Sequence, residues 1–156
     1  RLSLVGSEMC IRDRLEREAA ELGIAGRVRF CGQQDDVRPY YWAADIAVQP
    51  SLREGQGQVL SEAMAAGLPV LCSDAGGMHE VVLDGRSGLV VPRGDLKAFA
   101  AALRTLVVDA DMRAEYGRAG IERARAEVDI AVTAARHVEF YNRILGAYEP
   151  DSSADA

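Results

Sequence analysis

Short apolar runs separated by helical patterns constrain this chain more than any other feature. They lie at residues 46–50 (IAVQP), 69–73 (PVLCS) and 88–92 (GLVVP), and a fourth run at 27–32 (RVRFCG) alternates and is bounded by glycine. Each run is strand-length and is bounded by glycine or proline. Strands joined through helices run parallel, and parallel strands are covered on both faces, so they read as continuous apolar runs. The expectation is an α/β fold: a Rossmann-like parallel sheet wound with helices on both faces. Ligands of such sheets bind beyond the carboxyl ends of the strands. That rule points to the loops after Pro50 and Ser73.

The intervening segments have helical spacing. Leu15, Ala19, Leu22 and Ile24 form one stripe, ended by Gly23 and Gly26. Asp36 is positioned to cap a short helix through Ala43, with Pro39 tolerated in its first turns. A helix over 58–66 is closed by Gly67, and Gly76 and Gly77 open a short helix through Val82. A turn at 84–88 (DGRSG) precedes the last strand, and Asp95 caps a helix over 96–108. Two more helices are expected at 111–125 and 129–147.

The totals exclude several classes. A formal net charge of −6 with no basic run disfavours a nucleic-acid partner. Cys10, Cys31 and Cys72 are widely spaced without a CxxC, which fits single buried thiols in a reducing, cytoplasmic compartment. With only His79 and His137 as imidazoles, no spacing resembles a zinc site. No apolar run reaches the roughly 18 residues of a membrane span, and no signal peptide is visible. Residues 4–14 (LVGSEMCIRDR) resemble a translated library adapter, so 1–13 is expected to be a non-native or truncated leader. The functional domain is then 14–147, and the small, polar stretch 148–156 is expected to be a disordered tail.

The chemistry concentrates in residues 50–77 (PSLREGQGQVLSEAMAAGLPVLCSDAGG). Glu54 lies in the loop, followed by Gly55, Gln56 and Gly57. Glycine lets a ligand approach the main chain, and the free N–H groups and dipole at a helix start favour an anion. A diphosphate is the natural occupant, although a plain tight turn has the same pattern. Glu62 follows eight positions after Glu54, a helical span of roughly 12 Å. Two carboxylates so separated can accept from hydroxyls at the two ends of one ligand, with the helix start between them. Alone, Glu62 also fits a solvated helix face.

The E-x7-E run with Gly-x-Gly after its first glutamate, then EAMAAGLPV, then GG and Glu80, resembles the donor-binding signature of family-4 retaining glycosyltransferases of the GT-B fold. RVRFCG, YYWAADIAVQPS and DGRSGLVVPRGD resemble segments of that family in the same order, and the likeness extends over about residues 14–145. It implies a C-terminal donor-binding domain, one half of a GT-B enzyme, N-terminally truncated. It implies that Glu54 contacts the donor sugar near the reacting carbon as the catalytic-site carboxylate. Gly55, Gln56 and Gly57 line the sugar and diphosphate, and Glu62 binds the ribose. The nucleotide sugar is a substrate; no cofactor and no tightly held metal are implied. The acceptor is an unknown sugar, lipid or glycan, and any peripheral membrane contact runs through the missing N-terminal domain.

Two departures stand out. Gln56 occupies a position where many members carry an aromatic residue or glycine, and the family's Arg/Lys pair for the diphosphate lies upstream of Arg14. The fragment alone is therefore expected to be inactive. Alternatives are a nucleotide-sugar epimerase of the same fold, a non-catalytic α/β binding module, and a glycosidase using the two glutamates as acid and nucleophile. Elsewhere, His79 reads as a capping or partly solvated residue, Glu80 as equally structural or helix-end neutralising, and His137 as packing or surface. Cys31, Cys72, Tyr40, Tyr41 and Trp42 read as core.

Overall fold

The computed structural model of the chain describes residues 5–55, 57–128 and 130–146. The chain divides into two compact units, Arg1–Val37 and Arg38–Ala156. The first contains helix α1 (Val5–Glu21) and a 3-10 turn at Ala25–Arg27. Helix α1 begins earlier than the stripe from Asp13 suggests. Ala19 on that stripe is buried, whereas Leu15 and Leu22 are exposed.

The second unit runs α2 (Arg38–Ala43), β1 (Ala47–Gln49), α3 (Gln58–Ala65), β2 (Val70–Asp74), α4 (Met78–Val81), β3 (Gly88–Pro92), α5 (Leu96–Val108) and α6 (Ala110–Arg123). A π-helical turn, Ala124–Val128, follows α6, and α7 (Ile130–Gly146) comes last. The strands form one parallel sheet in the order β1-β2-β3, with Ala47 opposite Val70 and Val70 opposite Gly88.

The pleat sends alternate side chains to opposite faces. Val70 and Cys72 pack with Leu60, Ala63 and Met64 of α3 and with Met78 of α4. Leu71 and Val91 pack with Leu106 of α5 and Tyr116 of α6 on the other face. Helices thus cover both faces, as the apolar runs predict.

Two details correct the sequence reading, and a third places the start of α6. Residues 28–32 form no strand: alternation is a local signal, whereas a strand requires a ladder partner, and none pairs with this segment among the described residues. Cys31, placed in that strand by its sequence, is exposed, while Cys72 is buried. The cap of α6 is Asp109, whose carboxylate accepts from the Met112 N–H at 2.8 Å; Asp111 lies inside the first turn. Asp95 does cap α5, accepting from the Ala98 N–H at 2.9 Å. Gln56, Asp129 and the tail 148–156 lie outside the described residues.

Candidate functional site

The site is built where β1 and β2 end. After β1 the chain turns through Glu54 and Gly55 and enters α3 at Gly57, which holds the left-handed conformation (φ 62°, ψ 46°). That conformation is costly for residues with a Cβ. Gly57 has no side chain to cap α3; the Leu60 N–H donates to the Gly57 carbonyl at 2.8 Å, and the amides of Gln58 and Val59 before it have no side-chain cap.

The loop after β2 holds this turn in place. The Gly77 N–H donates to the Gly55 carbonyl at 2.9 Å. Gly76 has φ +58°, and a Cβ there would collide with the Glu54 carbonyl oxygen. The GG pair therefore lets one loop lie against the main chain of the other.

Glu54 is half-buried. Its Oε2 accepts from Gln49 Nε2 at 2.6 Å and its Oε1 from its neighbour's amide, Gly55 N–H, at 3.0 Å. Glu62 is exposed on α3, and its Oε2 accepts from the Tyr41 hydroxyl at 2.9 Å. Burial, followed by the Glu62 carboxylate as acceptor and negative charge, pushes the Tyr41 phenol up to about 12. Tyr41 packs against the α3-side core, as its sequence suggests. Trp42 does not: it is 70% exposed, and Tyr40 is also exposed. In a helix of six residues, neighbours on either side of an inward residue turn roughly 100° away from it.

A cleft of about 740 Å³ borders Glu62, with Ser61, Gly77, Glu80, Arg123 and Arg136 on its wall. The two glutamates face different partners, and Glu54 is not on that wall; Gly77 links the cleft to the Glu54 loop. Arg123 Nη2 donates to the Glu80 carbonyl at 2.6 Å, and Arg136 pairs with Glu127 at 2.6 Å. His79 is exposed, 3.4 Å from Asp74, and His137 lies on the surface of α7 with Nδ1 2.8 Å from the Thr133 carbonyl. Burial, and secondarily the charges of Asp74 and Asp84, push the Cys72 thiol up to about 12, so it is an inert thiol. Among the described residues no group of three or more His, Cys, Asp or Glu is arranged to hold a metal ion.

Glu54 lies in the loop after β1 and Glu62 on α3, with the glycine turn between them, where the sequence pattern puts them. Sequence reasoning missed Gln49 and the polar end of Tyr41 as their partners. Neither has a motif, because each contact depends on how separate elements pack.

A doubly wound α/β unit with paired loops beyond its strands' carboxyl ends is a Rossmann-like fold, a class whose ligands bind at those ends. The chain belongs to the family of group 1 glycosyl transferases, which it matches over residues 1–109. It is 40% identical over 111 residues to the lipopolysaccharide core biosynthesis glycosyltransferase LpsE of Rhizobium meliloti, covering 71% of this chain and 33% of that protein. It is 39% identical over 142 residues to D-inositol 3-phosphate glycosyltransferase 2 of Catenulispora acidiphila, covering 90% and 33%. Sucrose-phosphate synthase from Thermosynechococcus elongatus has a similar structure, with TM-score 0.81, 34% identity and coverage of 89% and 35%. HepE of Anabaena, solved in complex with UDP-glucose, superposes with TM-score 0.81 at 26% identity, covering 90% and 39%. The chain spans about a third of the length of the curated relatives it matches.

Proposed function

We propose that this chain is the donor-binding domain of a retaining glycosyltransferase. It holds a nucleoside-diphosphate sugar with the diphosphate at the start of α3, the ribose at Glu62 and the sugar at Glu54. One observation carries the reading: the Gly76–Gly77 turn fixes the Glu54–Gly55 loop where the uncapped amides of α3 begin. The complexes of HepE with UDP and with UDP-glucose support a nucleotide-sugar ligand for this architecture.

The chemistry follows from the charges. As the anomeric C–O bond breaks, the sugar becomes oxocarbenium-like and negative charge grows on the leaving diphosphate. Fixed N–H dipoles stabilise that charge without reorganising. The Glu54 carboxylate accepts from sugar hydroxyls close to the reacting carbon, and Glu62 accepts from the ribose. The acceptor, an unidentified sugar, lipid or glycan, and the Arg/Lys pair belong to the remainder of the full-length protein. The nucleotide sugar is a substrate, and no cofactor or metal is assigned. A buried free thiol at Cys72 accords with a cytoplasmic enzyme.

Calorimetric titration of the full-length protein with UDP and GDP, beside product analysis with and without acceptor, tests this. Binding of one nucleotide and transfer with retained anomeric configuration are expected. An epimerised sugar formed without acceptor points to an epimerase, and absence of nucleotide binding to a non-catalytic module.

A further inference from the structure

A polar residue occupies an inward position at the end of β1. Gln49 lies opposite Cys72, on the face that carries Ala47 and the α3-side core. An apolar side chain there would avoid the desolvation of an amide. The amide is not satisfied at both ends: its Oε1 is buried with no hydrogen-bond partner among the described residues. Its Nε2 donates to Glu54 Oε2 at 2.6 Å. Turned over, the amide would set its oxygen against a carboxylate, so the charge of Glu54 selects the orientation.

We infer that Gln49 is a positioning residue for Glu54, which holds the carboxylate aimed while leaving lone pairs free for sugar hydroxyls. This rests on the reading of Glu54 as the sugar-contacting carboxylate. The main chain of Glu54 is set by the Gly76–Gly77 turn, and Gln49 sets its other end. A charge-assisted hydrogen bond of this kind is among the stronger ones a side chain makes.

The test uses the full-length protein carrying this chain, with Gln49→Met, Glu54→Gln and the double variant. Methionine keeps the length and flexibility of the side chain without the donor. Gln49→Met is expected to lower kcat about ten- to a hundred-fold, with donor KM and nucleoside diphosphate affinity unchanged. The double variant is expected to be no slower than Glu54→Gln alone, because Gln49 acts only through that carboxylate. A second variant, Gln49→Glu, keeps the side-chain size and places two carboxylates together. It is expected to move the acidic limb of the pH–rate profile to higher pH, which a packing role would not do. If Glu54→Gln is slow but Gln49→Met keeps full kcat, or if the two losses multiply in the double variant, the inference is overturned and the reading of Glu54 survives. If Glu54→Gln itself keeps full kcat, the reading of Glu54 falls and the inference falls with it.

Discussion

Glu54 and Glu62 sit in different surroundings, so their replacement should have different effects. Glu62, with Tyr41 on one carboxylate oxygen, is exposed at the cleft and is assigned to the ribose, a group held equally before and during reaction. In the full-length protein, Glu62→Ala is expected to weaken nucleoside diphosphate binding by about 1.5–3 kcal/mol and to raise KM more than it lowers kcat. Glu54→Gln is expected to leave nucleoside diphosphate affinity unchanged and to lower kcat about ten- to a thousand-fold. Calorimetry beside steady-state kinetics checks both; the opposite pattern would reverse the two ends of the ligand. Tyr41 carries a pH prediction. Its phenol rises from 10.0 to about 12 in the folded chain. Its contribution to stability is therefore complete below about pH 10 and is lost as pH climbs towards 12. Denaturant midpoints of the native chain should fall across that window more steeply than those of Tyr41→Phe.

Two aspartates bracket α5, and a third tests which residue begins α6. Asp95 and Asp109 each accept an N–H three residues ahead, at 2.9 and 2.8 Å. Asp109 has extended dihedrals (φ −103°, ψ 95°), so it ends α5 and opens α6 at one residue. Removing either cap should cost about 0.5–2 kcal/mol. Asp111→Ala, which loses only a charge near the helix start, should cost about 0.3–1 kcal/mol at most. Urea melts of the three alanine variants give the ranking directly.

Over the entire molecule, α7 is the longest element that buries none of its described residues within the second unit. Val138, Tyr141 and Leu145 lie on its apolar stripe, and they are 59%, 58% and 68% exposed. We propose that this stripe packs against another part of the full-length protein. Val138→Lys and Tyr141→Lys should therefore change the stability of the 156-residue chain by no more than about 0.5 kcal/mol, while reducing its self-association. In the full-length protein the same changes should lower the melting temperature. The 156-residue chain by itself should transfer no sugar, because the reading assigns the acceptor site and the Arg/Lys pair to other parts of the protein. An assay with radiolabelled nucleotide sugars and mixed acceptors checks this, and measurable transfer would refute it.

The strands of the sheet, its parallel sense and the helices on both faces were legible in the chain because burial on two faces requires continuous apolar runs, and IAVQP, PVLCS and GLVVP are such runs. The glycine turn and the places of the two glutamates, one in the loop and one on α3, were legible because a helix start and its spacing are local. RVRFCG misled because alternation reports local preference, whereas a strand exists only when another strand supplies its hydrogen bonds. The helix expected at 111–125 begins at Ala110, because Asp109 leaves helical dihedrals where α5 ends and caps α6. Packing alone brought Tyr41 to Glu62, 21 positions away, and Gln49 to Glu54 across a turn. Side-chain partners of this kind follow from the distance and register between elements, and no periodicity along the chain encodes them.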